Sequence, residues 1–183
     1  ALKRVLAPID FSEASKLALD YSALLAWDFD LKLSVLHVVE PPVMPIYGTS
    51  PVIVREDLMR KHAEESINAL CADRLADPNL VDRILTDVGD PHTCIVENAK
   101  RINADLIVLA THGYTGLRHL LMGSVAEKVV RHATCPVLTL DEKSLGKDWR
   151  KHESTQFANI LVPTDLSAES RKALRYAVSF ARK

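Results

Sequence analysis

Short apolar runs alternate along the chain with stretches in which apolar residues recur every three or four positions. Residues 4–9 (Arg-Val-Leu-Ala-Pro-Ile) form the first run and suit a strand, and from Ser12 the period lengthens to that of a helix, with Ala14, Leu17, Ala18, Tyr21, Leu24 and Leu25 on one face. Ser12 supplies an N-cap and Glu13 an acidic first turn. A β-branched run at 31–39 predicts a second strand. Pro41, Pro42, Pro45, Gly48 and Pro51 then break regular structure. Residues 56–76 read as a long helix with Leu58, Met59, Ala63, Ile67, Leu70 and Cys71 near one face, and 82–88 as a third strand.

Asp90 followed by Pro91 is a strong helix start, continued by Cys94, Ile95, Asn98, Ala99 and Ile102. Beyond it come a continuous apolar run at 105–110, a glycine-punctuated loop, a helix beginning near Gly123 and a short strand at 136–140. Five strands alternating with four helices require right-handed crossovers and a parallel sheet covered on both faces, an α/β doubly wound fold. Ligands of such sheets bind beyond the carboxyl ends of the strands, where the chain switches from one half of the sheet to the other.

Two segments fall at that end. Ala110-Thr111-His112-Gly113, nine residues and then Gly123-Ser124 join a buried strand to a helix N-terminus, an arrangement that offers free N–H groups and the positive end of a helix dipole to an anion. The loop matches neither G-x-G-x-x-G nor G-x-x-x-x-G-K-[ST], so no catalytic class follows from it. Pro8-Ile9-Asp10 closes the first strand, and if strands one and four are neighbours Asp10 faces the loop across the crevice. That pairing suits a nucleotide, with base or ribose at Asp10 and phosphates at the loop.

Composition narrows the alternatives. With 26% charged residues and a net charge of −1, the chain has no electrostatic case for nucleic-acid binding. No apolar run approaches the ~20 residues of a membrane span, which makes no membrane partner and a cytoplasmic location the expectations. Cys71, Cys94 and Cys135 fit neither a disulfide framework nor a metal motif, and the flanks of His112, His119 and His132 contain no matching ligand spacing.

The opening unit recurs. Residues 159–181 align without a gap on 4–26 at an offset of 155, with nine identities in 23 positions, among them Leu6/Leu161, Pro8/Pro163, Asp10/Asp165 and Ser12/Ser167. The chain therefore divides into a domain at 1–140, a charged linker at 141–157 and the incomplete start of a second copy at 158–183. Strand one is central in such a sheet, so 160–163 would lack partners on both edges; the expectation is that the chain is a fragment of a tandem protein, with the linker exposed.

In this order Pro8-Ile9-Asp10 with Ser12, Leu36-His37-Val38, Gly89-Asp90-Pro91, Asp105 to Gly113, Gly123-Ser124-Val125 and Cys135-Pro136-Val137-Leu138 resemble the universal stress protein family. The resemblance implies a five-stranded sheet of order 3-2-1-4-5, dimerisation through the strand at 136–140 or its pairing with a second tandem domain, and a stress-linked regulatory role. Its nucleotide-binding branch carries G-x-x-G-x₉-G-[ST], with Ala110 standing here at the first glycine. By that match Gly113, Gly123, Ser124 and Val125 hold phosphates, while Pro8, Asp10 and Val38 line the adenine and ribose pocket. The implied ligand is ATP, or ADP or AMP, with or without Mg²⁺, and without efficient catalysis, since no Walker lysine or base beside an attacking water is present. The rival reading is a nucleotide-free dimeric interaction scaffold.

Overall fold

The computed structural model describes residues 2–41, 55–111, 122–141, 157 and 159–181. The five strands are β1 (Arg4–Ile9), β2 (Lys32–Val39), β3 (Val81–Val88), β4 (Leu106–Ala110) and β5 (Val137–Leu140). They form one parallel sheet in the order β3-β2-β1-β4-β5, as the alternation of periods and the family resemblance imply. Between them run α1 (Glu13–Phe29), α2 (Glu56–Arg74), α3 (Pro91–Arg101) and α4 (Ser124–His132), and a fifth helix, α5 (Ala168–Ala181), follows the sheet.

Alternation along β1 divides the interior. Val5, Ala7 and Ile9 point to one face and pack with Ala18, Leu19 and Leu25 of α1 and Ile67 of α2; Leu6 points to the other and packs with Ile95 and Ala99 of α3 and Val129 of α4. Val5, Leu6 and Ala7 are wholly buried, as expected for the middle strand of a sheet covered on both faces. At its start the register is pinned by Asp105, whose carboxylate accepts hydrogen bonds from the amides of Lys3 (2.8 Å) and Arg4 (3.0 Å).

Two helical faces differ from their predicted positions. On α1 the predicted Leu17, Ala18 and Leu25 are buried together with Ser15, Leu19, Ser22, Ala23 and Ala26, while Ala14, Tyr21 and Leu24 are only partly buried. Small residues allow the helix to lie close on the sheet, and Ser22 satisfies its buried hydroxyl by donating to the Ala18 carbonyl at 2.6 Å. Residue size and local hydrogen bonding therefore outweigh simple periodicity. On α2, Ala63, Ile67 and Cys71 are buried, but Leu58 lies 54% exposed in the first turn. A bidentate Arg74–Asp20 ion pair (2.8 and 2.9 Å) clamps the end of α2 to α1.

A second polar tie joins β3 to both flanking helices. Asp87 accepts from Arg60 of α2 at 2.9 Å and from Asn98 of α3 at 2.9 Å. Burial pushes its carboxyl pKa up, but the hydrogen bonds from Asn98, Arg60 and the Val88 amide outweigh burial and hold it below the ordinary value.

In the second copy, helix formation and strand formation part company. Ser167 donates from its amide to Asp165 Oδ1 at 2.9 Å and accepts from the Ser170 amide at 3.1 Å; Ser12 does the same with Asp10 (3.0 Å) and Ser15 (3.2 Å). The residue between Asp and Ser is left-handed in both copies, with φ 62° at Phe11 and 64° at Leu166. Each helix then starts one residue after its serine. Residues 160–163, however, form no strand, and Leu161 is 93% exposed where its counterpart Leu6 is at 0%. Phe180 leans on Phe29 at the end of α1, with ring centroids 5.4 Å apart. The predicted linker lies outside the described residues except for Asp141 and Phe157.

Leu6→Ala is expected to cost roughly 2–5 kcal/mol through lost burial and a cavity, whereas Leu161→Ala should stay within about 0.5 kcal/mol. Urea midpoints of the two variants measure the contrast. For Asp87, a folded pKa below the unfolded value of about 3.9 means that the ionised carboxylate stabilises the fold fully above that value and less as pH falls through the folded pKa. Asp87→Asn should therefore lower stability by about 1 kcal/mol at pH 7, with the gap from wild type closing below about pH 4. Denaturation followed from pH 7 to pH 2 tests the sign.

Candidate functional site

At the carboxyl edge of the sheet, β1 turns one way into α1 and β4 the other way into α4. The neighbouring strands diverge in connection there, and a cavity of about 580 Å³ opens over their ends. Its lining brings together Pro8 and Asp10 from β1 and its turn, Val38 from β2, Ala110 from β4, and Gly123, Ser124 and Val125 from the start of α4. Seven of the eight predicted site residues thus share one wall system. The eighth, Gly113, lies outside the described residues, as do His112 and His119.

On the β1 side the turn is built from its own polar groups. Asp10 Oδ1 accepts from the amide (3.0 Å) and hydroxyl (2.5 Å) of Ser12, and the Asp10 amide donates to Ser15 Oγ at 3.2 Å. His37 at the end of β2 braces this turn. Its Nδ1 lies 2.9 Å from the Ile9 carbonyl, which can only accept, so Nδ1 carries the hydrogen and Nε2 is left for other contacts. The imidazole also packs against the Phe11 ring, with centroids 4.7 Å apart.

On the other side, the two ends of the glycine loop are joined. Thr111 donates from its amide to the Leu140 carbonyl at 2.9 Å, and Gly123 donates to the Thr111 carbonyl at 2.6 Å. The start of α4 is thereby held against the end of β4. Ala110 is the last residue of β4, paired with Leu140 in regular extended geometry, and it is not among the residues of positive φ. The methyl group at this position costs no backbone strain, because the strand runs straight through it.

Gly123, at φ −68° and ψ 154°, is the N-cap of α4 in a conformation any residue adopts. Its importance is that it has no side chain with which to cap. Ser124 is the first residue of the helix rather than its cap. The other two helices that begin at the cavity are closed: Ser12 Oγ accepts from the Ser15 amide on α1, and Asp90 Oδ1 accepts from the Thr93 amide (3.1 Å) on α3. Among the described residues no acceptor takes the first amides of α4, at Ser124, Val125 and Ala126. That end presents about half a positive charge in open donors.

Further lining residues, among them Glu40, Asp90, Pro91 and Lys128, were not selected from the sequence as ligand contacts. Asp90 is engaged in its own cap: hydrogen bonds from the Thr93 amide and hydroxyl, with His92 and Lys128 nearby, keep its carboxyl below the ordinary range. Lys128 had a readable signal, since it follows Ser124 by four residues on a helix. Glu40 had none beyond its position at the end of a strand.

The sequence profile described as the Universal stress protein family matches residues 1–140. Universal stress protein MJ0531 of Methanocaldococcus jannaschii is 35% identical over 143 residues, covering 75% of this chain and 81% of that protein. Among solved structures, universal stress protein UspA from Lactobacillus plantarum superposes with a TM-score of 0.63 at 23% identity, over 76% of this chain and 98% of its own. A universal stress protein in complex with cAMP superposes with a TM-score of 0.57 at 25% identity, over 77% and 98% of the two chains. Fold, strand order, motif positions and sequence similarity converge, and the chain belongs to the universal stress protein family.

Proposed function

We propose that the chain is a stress-response regulatory protein that binds an adenine nucleotide, ATP, ADP or AMP, in the cavity over β1 and β4. The uncapped start of α4 carries this reading. Of the three helices that begin at the cavity, it is the one whose first amides have no side-chain cap, and it shares the cavity lining with Asp10. A phosphate supplies the missing acceptors, and Pro8 and Val38 offer an apolar surface to the base. The related complex with cAMP shows that an adenine nucleotide binds within this family.

Binding without efficient turnover fits the described lining. Asp10 Oδ1 holds Ser12 and Asp90 Oδ1 holds the α3 cap, which ties both carboxylates to local structure. Where Mg²⁺ accompanies a polyphosphate, it offsets ligand charge that one helix end cannot balance. β5 pairs with β4 alone among the described strands, and its outer edge is where a second subunit or a second domain would add.

Ser124→Pro is the sharpest variant. Gly123 already holds the extended geometry favoured before proline, and proline is well tolerated at the first helical position, so the fold should keep its melting temperature to within a few degrees. The substitution deletes both the Ser124 N–H and its hydroxyl, and AMP or ATP affinity should fall about tenfold or more, measured by calorimetry. Wild type whose melting temperature does not rise with millimolar ATP or AMP, with or without Mg²⁺, would refute nucleotide binding and leave the dimeric scaffold.

A further inference from the structure

Charge is unevenly distributed around the cavity. Its described lining contains three carboxylates, Asp10, Glu40 and Asp90, and one ammonium, Lys128 of α4. Lys128 sits one turn beyond Ser124, and side chains on a helix lean toward its N-terminus, over the turn before their own Cα. One turn rises about 5.4 Å, within the reach of a lysine side chain. The ammonium therefore has access to the space in front of the open Ser124, Val125 and Ala126 amides.

Among the described residues no acidic group is paired with that charge. Lys128 is exposed and makes no ion pair among the described residues. Asp90 feels it electrostatically, but the two form no ion pair, and Thr93 and His92 both engage Asp90 through Oδ1. Of the neighbouring basic residues of α4, Arg131 is tied to Glu127 at 2.9 Å and His132 Nδ1 contacts the Lys128 carbonyl. Structural pairing thus accounts for Arg131 and leaves Lys128 available at the cavity.

We propose that Lys128 is the residue by which this site recognises phosphate charge, so that it selects a 5′-phosphorylated nucleoside over the free nucleoside. The proposal rests on the nucleotide reading above and gives its phosphate end a specific side chain. Helix amides orient the phosphate oxygens through directed hydrogen bonds, and Lys128 adds a full, mobile positive charge. The acidic side of the cavity, Asp10 and Glu40, repels phosphate, which fixes the direction in which the ligand lies.

Calorimetric titration of the full chain with adenosine and with AMP, without Mg²⁺, tests this. Wild type should bind AMP at least about tenfold more tightly than adenosine. Lys128→Met should remove most of that preference while leaving adenosine affinity within about twofold, and Lys128→Arg should restore it. Equal loss of both ligands in Lys128→Met, or an unchanged preference for AMP, would overturn the role of Lys128 while nucleotide binding stands. Failure of wild type to bind either ligand would overturn the nucleotide reading itself. Because Lys128 is exposed, the variants should melt with wild type, which separates a binding effect from unfolding.

Discussion

Everything in this protein depends on β1 having a neighbour on each edge and a helical layer on each face. Its pairing with β2 runs from Arg4–Lys32 to Ile9–His37, and its pairing with β4 runs through Val5–Leu106 and Leu6–Ile107. Because parallel strands cannot be joined by tight turns, each neighbour brings a crossover helix, and the two sets of helices cover opposite faces. The same constraint produces the site: where β1 and β4 lie side by side, their following helices depart in opposite directions and leave the cavity between them. Packing that makes β1 the most buried strand and topology that opens a binding crevice at its end are consequences of one arrangement.

Within the crevice, helix capping decides which wall can receive an anion. Side-chain oxygens close α1 and α3, and glycine at position 123 leaves α4 open. A serine or aspartate there would satisfy the first amides internally and compete with any ligand. Gly123 is thus useful for what it lacks rather than for unusual backbone angles. Ala110 has the converse lesson: an added methyl where the motif has glycine is accommodated because the residue remains in regular strand geometry.

The strands were legible because fully buried parallel strands are short continuous apolar runs, and the helix starts because Ser12 and Asp90 announce themselves by type. Seven of the eight residues singled out by the family resemblance line one cavity at the switch point. What periodicity missed has physical causes. Ser15 and Ser22 are polar by composition yet buried, since the i−3 and i−4 carbonyls accept their hydroxyls. Leu58 obeys the helical period but belongs to a first turn that the sheet does not cover. Lys128 was passed over because a lysine on an amphipathic helix reads as solvated face unless the topology that curls its first turn into a crevice is known.

The second copy separates local from non-local determinants within one chain. Asp165, Ser167 and Ser170 rebuild the turn of Asp10, Ser12 and Ser15, down to the left-handed residue between Asp and Ser. Residues 165–170 thus hold their conformation through short hydrogen bonds among themselves, and the hydrogen bonds from Ser167 and Ser170 draw the Asp165 carboxyl down to about 2. The strand before that turn has the same apolar character as β1 and does not form. Its backbone groups need partners on both sides, and no side chain within reach can substitute for a neighbouring strand. Helix α5 persists because its hydrogen bonds are internal, even though Leu174 and Val178 are exposed where Leu19 and Ala23 are buried in the first copy. A sequence with nine identities in 23 positions and the same turn residues therefore contributes a core strand and a buried helix in one setting and a solvent-facing helix without its strand in another.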